Sequence, residues 1–149
     1  MADEATIRSY LQIRKTNAAG DVVHIDYQSR PSDFRADVAT TSGPAGGKIT
    51  ATVVGVDVDL SELTTPGLCR IQNQDATNYI TVGIFDTSAT EFYPFMELLP
   101  GESYVFRLSR NIGKEVEAPG TGTGYAGATT LRIKADTAPC PVLVEAFSI

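Results

Sequence analysis

The chain has no tryptophan, a single histidine and only two cysteines among its 149 residues. With His24 alone, no Ser/His/Asp or Cys/His arrangement can be assembled, because each needs a second anchored group. His24 falls on the outward side of a strand-like run and reads as a surface histidine with no catalytic role. A secreted disulfide framework would show more cysteines, closer together, than Cys69 and Cys140. With one histidine they are also too few for a zinc site. They read as reduced structural thiols, with a Cys69–Cys140 pair as the alternative. Positive charge is scarce: 12 Lys and Arg stand against 18 Asp and Glu, a net charge of −6. A nucleic-acid groove needs clustered cations, so no nucleic acid is expected as a partner. No apolar run approaches the ~18 residues of a membrane span, so no membrane partner is expected either. The N-terminal residues show neither a basic n-region nor an apolar h-region, and no signal peptide is expected. The chain reads as made and used inside a cell, or assembled there into something that leaves.

What is present is ordinary globular composition, 42% hydrophobic and 20% charged, in a chain of the usual size of one domain. Period-2 alternation recurs and no 3.6 period is sustained, which predicts an all-β fold: one domain spanning residues 1–149, a β-sandwich or jelly roll. Residues 7–14 alternate, with Ile7, Ser9, Leu11 and Ile13 on one side and Arg8, Tyr10, Gln12 and Arg14 on the other. Residues 17–20 form a turn, and Val23, Ile25 and Tyr27 share a face beyond it. This predicts an N-terminal hairpin over about residues 5–28. Residues 34–38 suggest a short strand and residues 40–47 a flexible loop. Across residues 48–60 the apolar set switches from odd to even positions, which predicts a β-bulge near Val53 to Gly55 or else a fully buried strand.

Residues 67–109 read as one uninterrupted meander. Its turns fall at residues 74–77, 86–89 and 100–102. Pro94 in the aromatic run demands an edge or a bulge. Pro100 and Gly101 suit a type II turn. Residues 110–128 break the rhythm with a long Gly-rich loop. Two strands, residues 129–135 and 142–147, close the chain.

Several constellations invite chemistry. Asp57 and Asp59, two apart on a strand, could share a hard cation, but a calcium loop needs six or more oxygen ligands, and a solvated strand end is simpler. The glycines of residues 120–124 resemble a phosphate loop, yet neither flank fits a strand-to-helix context; a contact loop is the simpler reading. Phe92, Tyr93, Phe95, Tyr104 and Phe106 could form a sugar-stacking platform, though most read more simply as core. No catalytic residue, cofactor or metal is expected.

The order of motifs carries a resemblance. Asn73, Asp75, Thr77, Asn78 and Tyr79 make an N-x-D-x-T-N-(Y/F) turn. Val82-Gly-Ile84 comes next, then a Phe92-Tyr-Pro-Phe95 strand and a Leu98-Leu-Pro-Gly-Glu102 turn. The closing residues 131–137 and 142–145 fit the same pattern. The chain thus resembles small structural proteins of tailed bacteriophages, mainly over residues 67–109. That resemblance implies a non-enzymatic virion protein: a head decoration or cement protein that bridges and stabilises major capsid subunits, assembled in the bacterial host cytoplasm. Its partners would be the major capsid protein and itself, as a homotrimer. The expected contact residues are Ile7, Tyr10, Gln12 and Arg14 of the N-terminal strand, with Tyr125 of the Gly-rich loop. A tail or head–tail connector component and a carbohydrate-binding adhesion module are the alternatives.

Overall fold

The computed structural model describes residues 3–9, 11–28, 32–38, 44–109, 112, 115–117 and 124–148. The protein is all-β, and among the described residues there is no helix. The sequence reads as one domain, but the contacts divide the chain into two compact units, Met1–Asp37 and Val38–Ile149.

The first unit is built from two strand pairs. Strand β1 (Asp3–Ser9) pairs with β4 (Ser32–Val38), and β2 (Gln12–Thr16) pairs antiparallel with β3 (Val22–Gln28). The expected hairpin is therefore β2–β3, and residues 7–14 do not form one strand: β1 ends at Ser9 and takes a different partner. The turn at residues 17–20 forms for a local reason. The Asn17 side-chain oxygen accepts from the Ala19 and Asp21 amides at 2.9 Å each, and Gly20 supplies φ +89°.

The second unit is a sandwich of two antiparallel sheets. Its strands are β5 (Ala45–Ala51), β6 (Val56–Asp57), β7 (Pro66–Asn73), β8 (Ile80–Asp86), β9 (Glu91–Leu98), β10 (Ser103–Arg107), β11 (Glu115–Glu117), β12 (Gly124–Ala135) and β13 (Cys140–Ser148). One sheet runs β10–β7–β13–β5; the other runs β11–β12–β8–β9, with β6 also pairing β12, at Arg132 and Ile133. Alternation puts Cys69, Ile71, Val142, Val144 and Ala146 of the first sheet inward, against Ile80, Val82, Leu131 and Ile133 of the second, all at most 1% exposed.

The meander of residues 67–109 is not one. Only β8 and β9 pair as a hairpin; β7 pairs with β10 and β13 in the opposite sheet. The turns after β7 and β9 carry the chain across the sandwich instead of doubling it back. The phase switch near Val53 has the same origin. It is not a bulge within a strand but a turn, in which the Gly55 amide donates to the Thr52 carbonyl at 3.1 Å and Gly55 takes φ +110°. By Thr52 the chain has already reached the second sheet, since the Ala135 amide donates to its carbonyl at 2.9 Å.

Pro94 lies where expected, on edge strand β9 at a register shift that leaves Phe95 as the extra residue. The expected loop at residues 40–47 is cut short, because β5 begins at Ala45 and takes in Gly46 and Gly47; residues 40–43 lie outside the described residues. The expected loop at residues 110–128 also holds secondary structure. Within it β11 pairs with the start of β12, Glu115 opposite Ala128 and Glu117 opposite Gly124. Residues 110, 111, 113, 114 and 118–123 are not among those described.

Candidate functional site

The motif residues meet at Asn73. Its side chain is wholly buried at the end of β7. The side-chain oxygen accepts from the Asp75 amide at 3.0 Å, and the side-chain nitrogen donates to the carbonyls of Asn78 at 2.8 Å and Leu98 at 3.1 Å. Its own amide donates to the Glu102 carbonyl at 2.9 Å. One residue of the first sheet thereby holds the turn that leads into β8 and the end of β9, both belonging to the second. Asp75 then organises its turn: one carboxylate oxygen accepts from the amides of Thr77 at 2.8 Å and Asn78 at 2.7 Å. Those amides hold the Asp75 carboxyl below its ordinary value.

The Leu98-Leu-Pro-Gly-Glu102 turn is equally self-contained. The Glu102 amide donates to the Leu99 carbonyl at 3.1 Å, and the Glu102 carboxylate accepts from the Leu99 amide at 2.9 Å. Gly101 supplies the φ of +79° that a type II turn needs. The hairpin between β8 and β9 obeys the same logic, with Asp86 accepting from the amides of Ser88 at 2.8 Å and Ala89 at 3.2 Å. The polar side chains that carry the motifs are occupied in holding turns.

The remaining chemistry-bearing residues separate. The carboxylate of Asp57 is gripped by both prongs of the Arg132 guanidinium, at 2.6 and 2.9 Å, which lowers its pKa. Asp59 instead accepts from the Ser61 amide at 3.0 Å. Among the described residues no group of three or more His, Cys, Asp or Glu is placed to hold a metal. Arg132 also lies over the Phe85 ring, 3.2 Å from its centroid. Lys134 lies 5.4 Å from the centroid of Phe92, whose ring covers Gly83 on the outer face of the second sheet. The run of glycines at 120–124 leads into strand β12 at Gly124, whereas a phosphate loop requires a helix at that point.

Cys69 and Cys140 are free and buried. Cys69 faces Ala146, six residues along β13 from Cys140. Six residues of strand span about 20 Å, whereas a disulfide needs Cα atoms within about 7 Å. Burial pushes the Cys69 thiol up to about 12, with the Glu145 carboxylate adding to the rise.

The aromatics depart furthest from expectation. Most of the five rings were expected in the core, but Tyr93, Phe95 and Tyr104 are 51%, 53% and 56% exposed. They sit on β9 and β10, which are edge strands of opposite sheets, so they border the open side of the sandwich. Phe95 meets Phe106 edge to face at 6.0 Å, and Tyr104 stacks on Phe106 at 6.5 Å with 18° between the planes. Along this border runs a cleft of about 600 Å³ lined by Phe95, Met96, Glu97, Leu98, Glu102, Ser103, Tyr104 and Phe106. A second cleft of about 350 Å³ lies beside it, with Phe95 and Phe106 shared.

Of the expected contact residues, Ile7 is half-buried in β1 and Gln12 half-buried at the start of β2. Arg14 lies in β2 opposite Ile25, His24 in β3 opposite Lys15, and Tyr125 at the second position of β12. Tyr10 lies outside the described residues. The Tyr93, Phe95 and Tyr104 border was weighed as a sugar-stacking platform but was not named among the expected contact residues. Its signal was Pro94, which marked β9 as an edge and so exposed its neighbours.

Set against family models, curated proteins and solved structures, the chain finds no match. The likeness to phage proteins therefore stands on the turn and strand motifs alone, and those motifs act in folding.

Proposed function

We propose that this chain is a non-enzymatic virion protein of tailed bacteriophages, a head decoration or cement protein that bridges neighbouring major capsid subunits as a homotrimer. The observation that carries the reading is the division of labour in the second unit. Motif polar groups such as Asn73, Asp75 and Glu102 hold the sandwich turns. The exposed side chains include large apolar ones: the Tyr93, Phe95 and Tyr104 border, and the Val53–Val54 turn tip, 46% and 78% exposed. Exposed apolar side chains of this kind are suited to contact with another protein. Such a protein works by mass action. Binding the assembled shell and not its separated subunits stabilises the shell by an amount that grows with the logarithm of free protein concentration above Kd.

The test is to add purified protein to heads lacking it and monitor rupture on heating with a DNA-binding dye. The rupture temperature should rise with the concentration of added protein. If complete and deficient heads rupture together, or the protein localises only to tails, the cement reading fails and the connector reading replaces it. The same exposed tyrosines favour one reading from another class, a carbohydrate-binding adhesion module, since planar rings beside carboxylates can stack on and hydrogen-bond a sugar. Binding on a glycan array that is lost in Tyr93→Ala and Tyr104→Ala would establish it.

A further inference from the structure

We propose that β10 joins two copies of this chain edge to edge, antiparallel about Val105, so that the first sheet of each copy continues into that of the other. A two-fold contact cannot close a ring of three. The contact therefore goes beyond the proposed function: it links one trimer to the next, or two isolated chains. Its test uses the isolated protein, so its failure leaves the capsid test standing. The first argument is that β10 is the unguarded edge of the second unit. An open edge invites pairing unless proline, a bulge, charge or shortness blocks it. Strand β9 carries Pro94 and the register shift beside it. Strand β5 has Gly46 and Gly47 at φ +95° and +65°, then an exposed Lys48. Strands β6 and β11 are two and three residues long. Strand β10 has five residues, no proline, no register shift against β7 and one charged residue, Arg107, at its end.

The second argument is where the backbone groups point. The Asn73 amide donates to the Glu102 carbonyl at 2.9 Å, and the Leu108 amide to the Gly67 carbonyl at 2.6 Å. In an antiparallel ladder, residues bonded to one neighbour alternate with residues whose amide and carbonyl face the other way. The even-numbered residues of β10 therefore bond to β7, and the amides and carbonyls of Ser103 and Val105 point out of the sheet. Both residues are exposed.

The third argument is that β10 complements itself. Pairing about Val105 sets Val105 against Val105 and Ser103 against Arg107, so outward backbone groups meet outward backbone groups. It sets Tyr104 of each copy against Phe106 of the other, on the side that lines the cleft, and so extends the existing contacts among Phe95, Tyr104 and Phe106. Val105, 37% exposed, is covered on the outer side. A register centred on Tyr104 would instead press Phe106 against Glu102, whose carboxylate holds its turn. Antiparallel pairing also brings the acid end of the strand, at Glu102, toward the basic end of the other copy.

The experiment is disulfide crosslinking of the full chain with sedimentation velocity. Cys69 and Cys140 are buried, so a cysteine introduced on β10 is the accessible thiol. Across the axis the two Val105 Cα atoms would stand about 5.5 Å apart, inside the roughly 7 Å that a disulfide spans. The two Ser103 Cα atoms would stand about 14 Å apart, four strand residues away. Under mild oxidation Val105→Cys should therefore give a covalent dimer on a non-reducing gel, and Ser103→Cys should not. In sedimentation the wild type should show a concentration-dependent doubling, from monomer to dimer or from trimer to a pair of trimers. Val105→Pro removes an amide that faces away from β7, so the native ladder is kept. It should weaken the doubling roughly tenfold or more. Val105→Lys, which sets two ammonium groups at the axis, should do the same and serves if the proline variant does not fold. A wild type without the doubling step, equal crosslinking at residues 103 and 105, or a folded Val105→Pro or Val105→Lys chain that doubles as the wild type does would each overturn the proposal.

Discussion

Replacing Asn73 removes the bracket between the sheets, and its cost can be worked from the contacts. Asn73→Ala strips three hydrogen bonds: one from the Asp75 amide and two to the carbonyls of Asn78 and Leu98. Asp75 and Asn78 are half-buried, so water reaches their freed groups, and each loss costs about 1 kcal/mol. Leu98 is 4% exposed, so its carbonyl bears a larger desolvation cost of about 1–2 kcal/mol. The hydrogen-bond losses sum to about 3–4 kcal/mol, and the space left in a fully buried site adds to that; the total is a large fraction of the 5–15 kcal/mol that holds a domain together. Urea unfolding monitored by circular dichroism should show the midpoint falling with the slope unchanged. Asn73→Asp sharpens the test. At neutral pH its carboxylate would face two carbonyl oxygens, so it should be at least as unstable as the alanine variant. Its folded pKa would be raised, so its stability should recover as pH falls and the protonated acid donates to one carbonyl. A loss below about 1 kcal/mol for Asn73→Ala, or no acid recovery for Asn73→Asp, would refute the bracket.

Three further outcomes rest on single observations. Gly83→Ala should cost about 3 kcal/mol or more, because a Cβ would fall 2.6 Å from the Phe92 ring and closer still to the Tyr93 carbonyl; Gly101→Ala, with open space but φ +79°, should cost only about 1 kcal/mol. Thermal melts that rank the two variants the other way would contradict the packing of Phe92 over Gly83. Thiol titration in denaturant without reductant should count two free thiols, while the folded protein labels slowly; a count of zero would contradict the strand register that separates Cys69 from Cys140. Asp57, Asp59, Asp75 and Asp86 all have lowered pKa values, through the Arg132 ion pair or through hydrogen bonds within their turns. Their contribution is therefore present above the ordinary carboxylate range and lost as pH falls below about 4. Asp75→Asn with Asp86→Asn should flatten the dependence of melting temperature on pH in that range, and an unchanged slope would count against it.

Strand existence and facing were legible in the sequence because both arise from period-2 alternation within a few residues. Cys69, Ile71 and Asn73 alternate along the chain and are buried as one face. Turns were legible for the same reason: Asn17, Asp75, Asp86 and Gly101 act on amides or dihedrals within four residues of themselves. Pro94 announced its edge because proline cannot donate to a ladder. Asp57 looked like half of a cation site because its partner, Arg132, is 75 residues away in the chain.

Sequence alone therefore determined that this protein is all-β and where the turns at Asn17, Asp75, Asp86 and Gly101 fall. Only the tertiary structure decided which strand lies beside which. A turn of given local geometry can close a hairpin, as at Asp86, or carry the chain to the opposite sheet, as after Asn73 and Thr52, and nothing within the turn distinguishes the two. The choice is made by side chains far away in the chain that bury one another, such as Ile71 against Val144. The fate of the aromatics turned on the same choice. Tyr93, Phe95 and Tyr104 have core-forming chemistry, but β9 and β10 ended up as edges of separate sheets, and that placement alone left them at the surface.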